Sequence, residues 1–553
     1  MTAEQFDALV VGAGQGGLTC AGYLAVTGHR VLVLEQHTVG GGNAQVFRRR
    51  GRYEFDVGTH YVGECGPDGV VRRVYEALGL GDRIAFREMD RDGFDRIVLP
   101  STRMRVPVGW EAYRERLVAT LPDEADGIRQ FVDLCARVHA TQRHALLGHL
   151  DPNPVPAGEH TPIRALSTIG AAMREAGLSS RARTLLAGQS ANYGLGPDEV
   201  SVLAHAVVLG SYLQGAYYPV GGGQMFGATL VEAIEAHGGE LRTRSLVTRI
   251  LVENGRAAGV VLADGQVLRA PVVVSNADYR RTVRDLVGTR HFPEVYAARA
   301  ERATMALPLA VLYLALEPDT IPPRESNIWW YETDDIDEMY AELNTGPFDV
   351  PRFGFISSGS AKSGTAADHH TVEVMTTCPR EYATWVGGDE GAMGYGYRAD
   401  RQYLARKERL DEALFAIAER ALGPLSGKVL HREVATPLTQ VRFTRSTGGC
   451  SYGIGATPRQ FGPTRPAHAT AIPGLYLVGA STESGFGIVG TTVGGVRCAE
   501  AITGEPLLVQ AYAGKVLGDA GRLPDRPAGW DPLLASRGSR SARHPRRANR
   551  LSA

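Results

Sequence analysis

The 553-residue chain is 44% hydrophobic and 22% charged, with a formal net charge of −1. These values fit a globular protein of roughly two to four domains and exclude a global basic field that would draw in nucleic acid. The six cysteines, at positions 20, 65, 135, 378, 450 and 498, form no CxxC pair and no cluster of zinc-ligand spacing, so no metal centre is expected.

The chain enters a strand at residues 6–11 almost at once, which leaves no room for a signal peptide. No apolar run reaches the ~20 residues that a membrane span takes. A cytoplasmic location is expected, with peripheral contact with lipid left open. Gly12-Ala13-Gly14-Gln15-Gly16-Gly17 follows the strand, then a small, apolar helix over 18–27 and a second strand over 30–34 that ends in Glu35. Each part has a job in dinucleotide binding. Gly12 permits the tight turn, Gly14 lets the backbone approach a pyrophosphate, and Gly17 lets helix and strand pack closely. The helix N-terminus offers N–H groups and a positive dipole end to phosphate. Glu35 stands 18 positions after Gly17, near the ~20 at which an acid grips ribose hydroxyls. That acid would repel a 2′-phosphate, so FAD or NAD is expected there and not NADP.

Further along come Gly40-Gly41-Gly42 and then Tyr53-Glu54-Phe55-Asp56-Val57-Gly58-Thr59-His60-Tyr61. Residues 111–214 read mainly helical, with a helix start at Leu121-Pro122-Asp123-Glu124 and apolar spacing through Ile128, Phe131, Val132 and Cys135. A Pro/Gly-rich loop spans 151–162. Tyr217-Tyr218-Pro219-Val220-Gly221-Gly222-Gly223 opens a helix through Leu230 and Ile234, which Gly238-Gly239 ends. Strands at 247–250 and 258–262 carry the hairpin signals Asn254-Gly255 and Asp264-Gly265, and a strand at 272–275 leads into Asn276-Ala277. Strands at 308–316 and 328–331 and an amphipathic helix at 403–421 follow. Gly474-Leu475-Tyr476-Leu477-Val478-Gly479-Ala480-Ser481-Thr482 then delivers a strand to Gly485-Phe486-Gly487-Ile488-Val489-Gly490, where a helix to about 502 begins. Residues 523–553 are polar and arginine-rich, with Arg537, Arg540, Arg543, Arg546, Arg547 and Arg550 lacking acidic neighbours. A disordered basic tail is expected there.

Taken in register, these motifs resemble the phytoene desaturase group of amine-oxidase-like flavoproteins. The stretches His60-Tyr61-Val62-Gly63-Glu64, Thr436-Pro437-Leu438-Thr439 and Gly448-Gly449-Cys450-Ser451-Tyr452-Gly453 are most similar to its retinol saturase and carotenoid isomerase branch. The resemblance implies an α/β fold in which a Rossmann-like FAD-binding domain (1–110, 215–300 and 435–510) is interleaved with a mixed α+β substrate domain (111–214 and 301–434). It implies that FAD is held by Gly12, Gly14, Gly16, Gly17, Glu35 and Gln36, then by Gly41, Gly42, Asn43, Gly58, Thr59 and His60. Val247 would meet the adenine, and Asn276, Gly479, Ala480, Gly487, Ile488 and Val489 would complete the site. Many relatives carry an acid right after the glycine at Gly479. Here Ala480-Ser481 stands instead, so the ribityl contact falls to a backbone group or to Ser481.

The resemblance further implies an apolar polyene or isoprenoid-like substrate whose C=C bonds are reduced, desaturated or isomerised. A reductive cyclase of polyene macrolactams, a flavin amine oxidase and a non-enzymatic GDI-like binding protein are the alternatives. No second strand–glycine–helix unit appears mid-chain, so electrons are expected to pass by transient NAD(P)H contact, a redox partner, oxygen or a quinone. His60, Tyr61 and Glu64 follow the segment expected at the ring and are the candidate proton donors. The plainer reading is that His60 and Tyr61 pack beside the cofactor. Trp329-Trp330-Tyr331, and Met225 with Phe226, could line a polyene tunnel or build core.

Overall fold

The computed structural model describes residues 5–539 apart from 152–154, 156–159, 321, 323, 344, 346–347, 365–367, 381–383 and 387–395. Most of the 151–162 loop and positions 540–553 therefore lie outside the described residues.

The aliphatic strands Ala8–Val11 and Val31–Leu34 are buried at every position, as a parallel sheet covered on both faces requires. They sit in a five-stranded parallel sheet with the order Leu475–Leu477, Val272–Ser275, Ala8–Val11, Val31–Leu34, Glu240–Arg242. Helix Gln15–Val26 runs across it beside helix Gly487–Thr503. The two helices meet where small residues allow it: a Cβ on Gly495 would stand 2.5 Å from the Thr19 Cβ. The hairpin signals are met by the antiparallel strands Val247–Glu253, Arg256–Leu262 and Val267–Arg269.

A seven-stranded sheet forms the other half, in the order Val429–Ala435, Leu309–Leu316, His370–Thr377, Phe353–Ser357, Asn327–Tyr331, Asp95–Val98, Arg103–Val106. Strand Leu309–Leu316 divides by alternation. Ala310, Leu312, Leu314 and Leu316 join the core under helix Arg401–Leu422. Val311, Tyr313 and Ala315 face the opposite way, into the core that includes helices Trp110–Thr120, Ala125–Leu147 and Val202–Leu213.

Two expectations are corrected. Strands Asp95–Val98 and Arg103–Val106, counted above with the nucleotide-binding part, pair into the seven-stranded sheet through Asn327–Tyr331. Their short alternating pattern specifies a half-buried strand but not which sheet receives it. The tail is ordered as far as it is described. Asp531 pairs with Arg48, Arg526 with Glu232, and the Ser539 N–H donates to Glu235. Their partners Arg48, Glu232 and Glu235 lie 483, 294 and 304 positions upstream, so local composition could not reveal them. Ser536 is fully buried, and its carbonyl accepts the Gly40 N–H at 2.7 Å, bracing the Gly40–Gly42 turn from behind.

The aromatic strand Asn327–Tyr331 is core. Trp329 and Tyr331 are 1% and 2% exposed, and Trp330 lies under the Arg420 guanidinium. Met225 and Phe226 are likewise buried in the nucleotide-side core.

Candidate functional site

Between the two sheets lies a cavity of about 650 Å³. Its first end is built by glycine. Gly12 has φ +97°, Gly41 +126° and Gly42 +58°, all in the region that side chains avoid. A Cβ on Gly42 would stand 2.8 Å from the Gly14 Cα, and one on Gly17 would stand 2.3 Å from the Gly12 carbonyl oxygen. Two turns thus approach backbone to backbone, and the helix starting at Gln15 opens with no side-chain cap on its first N–H groups, which suits a diphosphate.

Glu35 closes this end. Its Oε2 accepts the Ala13 N–H and its Oε1 the His37 N–H, each at 2.8 Å. Burial pushes its pKa above the ordinary value, opposed by the His37, Ala13 and Gln36 backbone N–H groups. Gln36, Val247 and Asn276 line the wall beside it, and the Asn276 amide donates to the Gly12 carbonyl at 3.2 Å. Asn43, Gly58, His60, Gly479, Ala480, Gly487 and Ile488 continue the lining.

Three residues named from sequence fall behind the lining. Gly17 is packed against Gly12 and Asn276, Thr59 is 1% exposed, and Val489 packs with the nucleotide-side core. Ser481 lines an adjoining chamber of about 150 Å³ and accepts the Ile454 N–H at 3.2 Å.

Of the three candidate proton donors, His60 alone reaches the cavity. Both its ring nitrogens are buried without a hydrogen-bond partner. Burial, and then the Lys362 charge, push its pKa down to about 3, so at neutral pH it offers a neutral imidazole and not an imidazolium. Tyr61 is corrected: its hydroxyl donates to Asp95 at 2.9 Å and accepts from Asn192 at 2.8 Å, and its ring stacks on Tyr212. Glu64 is corrected too. Its φ of +59° turns the chain away, and its carboxylate pairs with buried Arg143 at 2.6 Å and takes the Val70 N–H.

The far end of the cavity was not legible in the sequence. Leu309, Val311 and Tyr313 present alternate positions of one strand, flanked by Met375, Ala435 and Phe47. Phe47 meets Tyr313 edge to face at 4.8 Å between centroids. The apolar floor ends at Glu433, opposite Tyr313, where Arg49 holds it by two bonds of 2.6 and 2.7 Å. Helix Pro437–Thr444 supplies Thr439, Gln440 and Phe443 to the wall. Its start is fixed by Thr436, whose N–H donates to Thr439 Oγ1 at 3.2 Å and whose hydroxyl meets that of Tyr403 at 3.1 Å. Thr436→Ala is expected to cost about 1 kcal/mol, read as a small fall in Tm with the fold intact.

Lys362, one of only four lysines in the chain, was also missed. It is 1% exposed. Its ammonium donates to Ser357 Oγ at 2.6 Å, to Asn327 Oδ1 at 2.8 Å and to the His60 carbonyl oxygen. Around it lie Asp56 and Asp95, each raised to about 6 by burial, and Glu373, raised well above its ordinary value by burial and the Asp56 charge. Lys362 thus fixes the backbone of His60, a lining residue whose two ring nitrogens are both unpaired.

Residues 10–78 match a family model described as an NAD(P)-binding Rossmann-like domain. The chain is similar to the all-trans-retinol 13,14-reductase of Rattus norvegicus, with 29% identity over 93% of this chain and 88% of the relative. It is similar to prolycopene isomerase 2, chloroplastic, of an Oncidium hybrid cultivar, with 28% identity over 91% and 84%. The structure of a cyclohexylamine oxidase from Brevibacterium oxydans shares the fold at a TM-score of 0.58, covering 90% of this chain and 99% of that one at 17% identity. Among the described residues no helix is long and apolar enough to cross a membrane.

Proposed function

We propose, since the chain belongs to the retinol saturase and carotenoid isomerase-like family of FAD-type oxidoreductases, that it binds FAD and acts on C=C bonds of an apolar polyene or isoprenoid substrate. One observation carries the reading. A single cavity runs from the glycine cradle and Glu35 to an apolar floor of Leu309, Val311, Tyr313 and Met375. A dinucleotide suits the first part and a hydrocarbon chain the second, with His60 between them. The cradle leaves no room for a Cβ at Gly42, and the orphaned nitrogens of His60 call for a polar partner. Both features fit a flavin dinucleotide.

Bound FAD would supply hydride or electron transfer. The protein's own part is to orient and to exclude water. The floor strand holds the chain of the substrate, and the Arg49–Glu433 pair meets whatever polar group ends it. His60, uncharged, donates or accepts one hydrogen bond without adding a charge to an apolar chamber. A peripheral encounter with lipid suits so apolar a substrate.

The test is an anaerobic titration of purified, FAD-loaded protein with NADPH and with NADH, following the blue flavin band, and then incubation of the reduced protein with retinol or prolycopene. A yellow protein that converts a polyene to a dihydro product or to a geometric isomer is the expected result. A protein that neither carries nor takes up FAD would overturn the reading. Bleaching by a nicotinamide identifies a transient donor. A yellow protein that bleaches only with a chemical reductant assigns the electrons to a separate partner.

A further inference from the structure

Among the described residues three lysine or arginine side chains are buried: Arg143, Lys362 and Arg465. Arg143 pairs with Glu64 and Asp151, and Lys362 sits among Asp56, Glu373 and Asp95. Arg465 is 2% exposed and has no acidic partner among the described residues. Its Nη2 donates to the carbonyl oxygens of Ile454 at 3.0 Å and Ala480 at 2.5 Å. Its Nε and Nη1 are buried with no acceptor, and its guanidinium lies 5.7 Å from the centroid of Phe486. A buried charge without a counter-charge is costly to keep, and burial alone pushes this one down to about 9.

Its position says what it waits for. Ala480 lines the cavity, and Phe486 is the residue from which helix Gly487–Thr503 starts, with Gly487 and Ile488 in the lining. Arg465 therefore stands behind the closing turn, separated from the cavity by one peptide. Gly12, Gly14 and Gly42 build the diphosphate cradle; the closing turn meets the glycine turn at Gly16, where a Cβ would stand 3.1 Å from the Gly479 nitrogen, and runs on from there through Ala480 to Phe486.

We propose that Arg465 is the buried counter-charge of the cofactor's ring: it stabilises the negative charge that the flavin ring takes on when reduced, and so raises its reduction potential. The inference rests on the FAD reading above. In this role Arg465 is a positioning residue, acting across the Ala480 peptide together with the dipole of helix Gly487–Thr503.

The experiment uses the full chain loaded with FAD and compares wild type with Arg465→Met, Arg465→Gln and Arg465→Lys. The midpoint potential is measured by equilibration with a reference dye, FAD affinity by fluorescence, and Tm on apo and loaded protein. The neutral variants are expected to weaken binding of reduced FAD at least tenfold more than that of oxidised FAD, a fall of about 30 mV for a two-electron couple. Lysine, which keeps the charge, should hold the potential near wild type. The two neutral variants guard against one failing to fold. An unchanged potential overturns the proposal, whether the variants merely lose Tm or lose affinity for both redox states equally, as neutralising a partner of the always-charged diphosphate would do. Wild-type protein that takes up no FAD would instead remove the reading on which the proposal stands.

Discussion

Glu35→Gln protein is expected to bind its dinucleotide about a hundredfold more weakly than wild type. Both carboxylate oxygens of Glu35 already accept a backbone N–H, from Ala13 in the glycine turn and from His37 beyond the second strand. The carboxylate thus ties the two turns together in the cavity wall. An amide of the same shape keeps one acceptor and sets an NH₂ group against the other N–H. Two charge-assisted bonds weakened or lost are worth about 3 kcal/mol after relaxation, which is about two decades in affinity. Fluorescence titration of the apo protein with FAD measures it. The pH dependence has a definite sign. Ribose hydroxyls need the ionised carboxylate, and burial has raised the pKa of Glu35 above 4.5. Affinity in the wild type should therefore fall as pH falls through that raised value, sooner than an ordinary glutamate would allow, and the glutamine variant should show no such limb. Equal affinity in both proteins would mean that Glu35 serves the turn alone.

How much of this site could be read in the sequence depended on how local the physics was. The stretch from Gly12 to Glu35 was legible because each glycine answers a constraint set by its immediate neighbours, and the strand, turn and helix follow without a break. The Gly479–Gly487 turn was legible for the same reason. Tyr61 and Glu64 were misplaced because nearness in sequence to a ring-contacting segment says nothing about direction. The left-handed backbone at Glu64 sends that side chain to Arg143, 79 positions away. The floor of the cavity was hidden differently. The strand at 309–316 was plain, but it is apolar on both faces, so its pattern could not say that Val311 and Tyr313 line the cavity while Leu312 and Leu314 face helix Arg401–Leu422. Arg465 and Lys362 carry no local signal at all. Each is a lone cation whose meaning comes from what the fold leaves around it: acids for Lys362, and among the described residues two backbone carbonyls and a phenyl ring but no acid for Arg465.

Lys362→Met is expected to be the most damaging single change to stability, at about 3–5 kcal/mol. The methionine fits the length of the lysine but gives nothing to Ser357 Oγ, Asn327 Oδ1 or the His60 carbonyl, all of which the ammonium now satisfies. It also leaves Asp56 and Asp95 without the nearby positive charge. The cost should depend on pH in a direction fixed by those acids. Both are raised from 3.8 to about 6 in the folded chain, so between those values the folded state holds protons that the unfolded state has released. Their contribution to stability is fully present below 3.8 and is lost as pH rises through about 6. Removing the lysine raises these pKa values further, because ionised acids then face one another with no cation between them. The variant can relieve that repulsion by taking up protons in acid but not at neutral pH. The gap in Tm between wild type and Lys362→Met should accordingly be wider at pH 7 than at pH 5, with the cofactor absent from both samples. A gap that does not change with pH would reduce Lys362 to a packing residue. Its ties to the His60 carbonyl would then concern shape alone, and His60→Gln and Lys362→Met should affect turnover independently. If the charge matters as argued, the two substitutions should be far from additive, since the lysine holds in place the loop that the histidine uses.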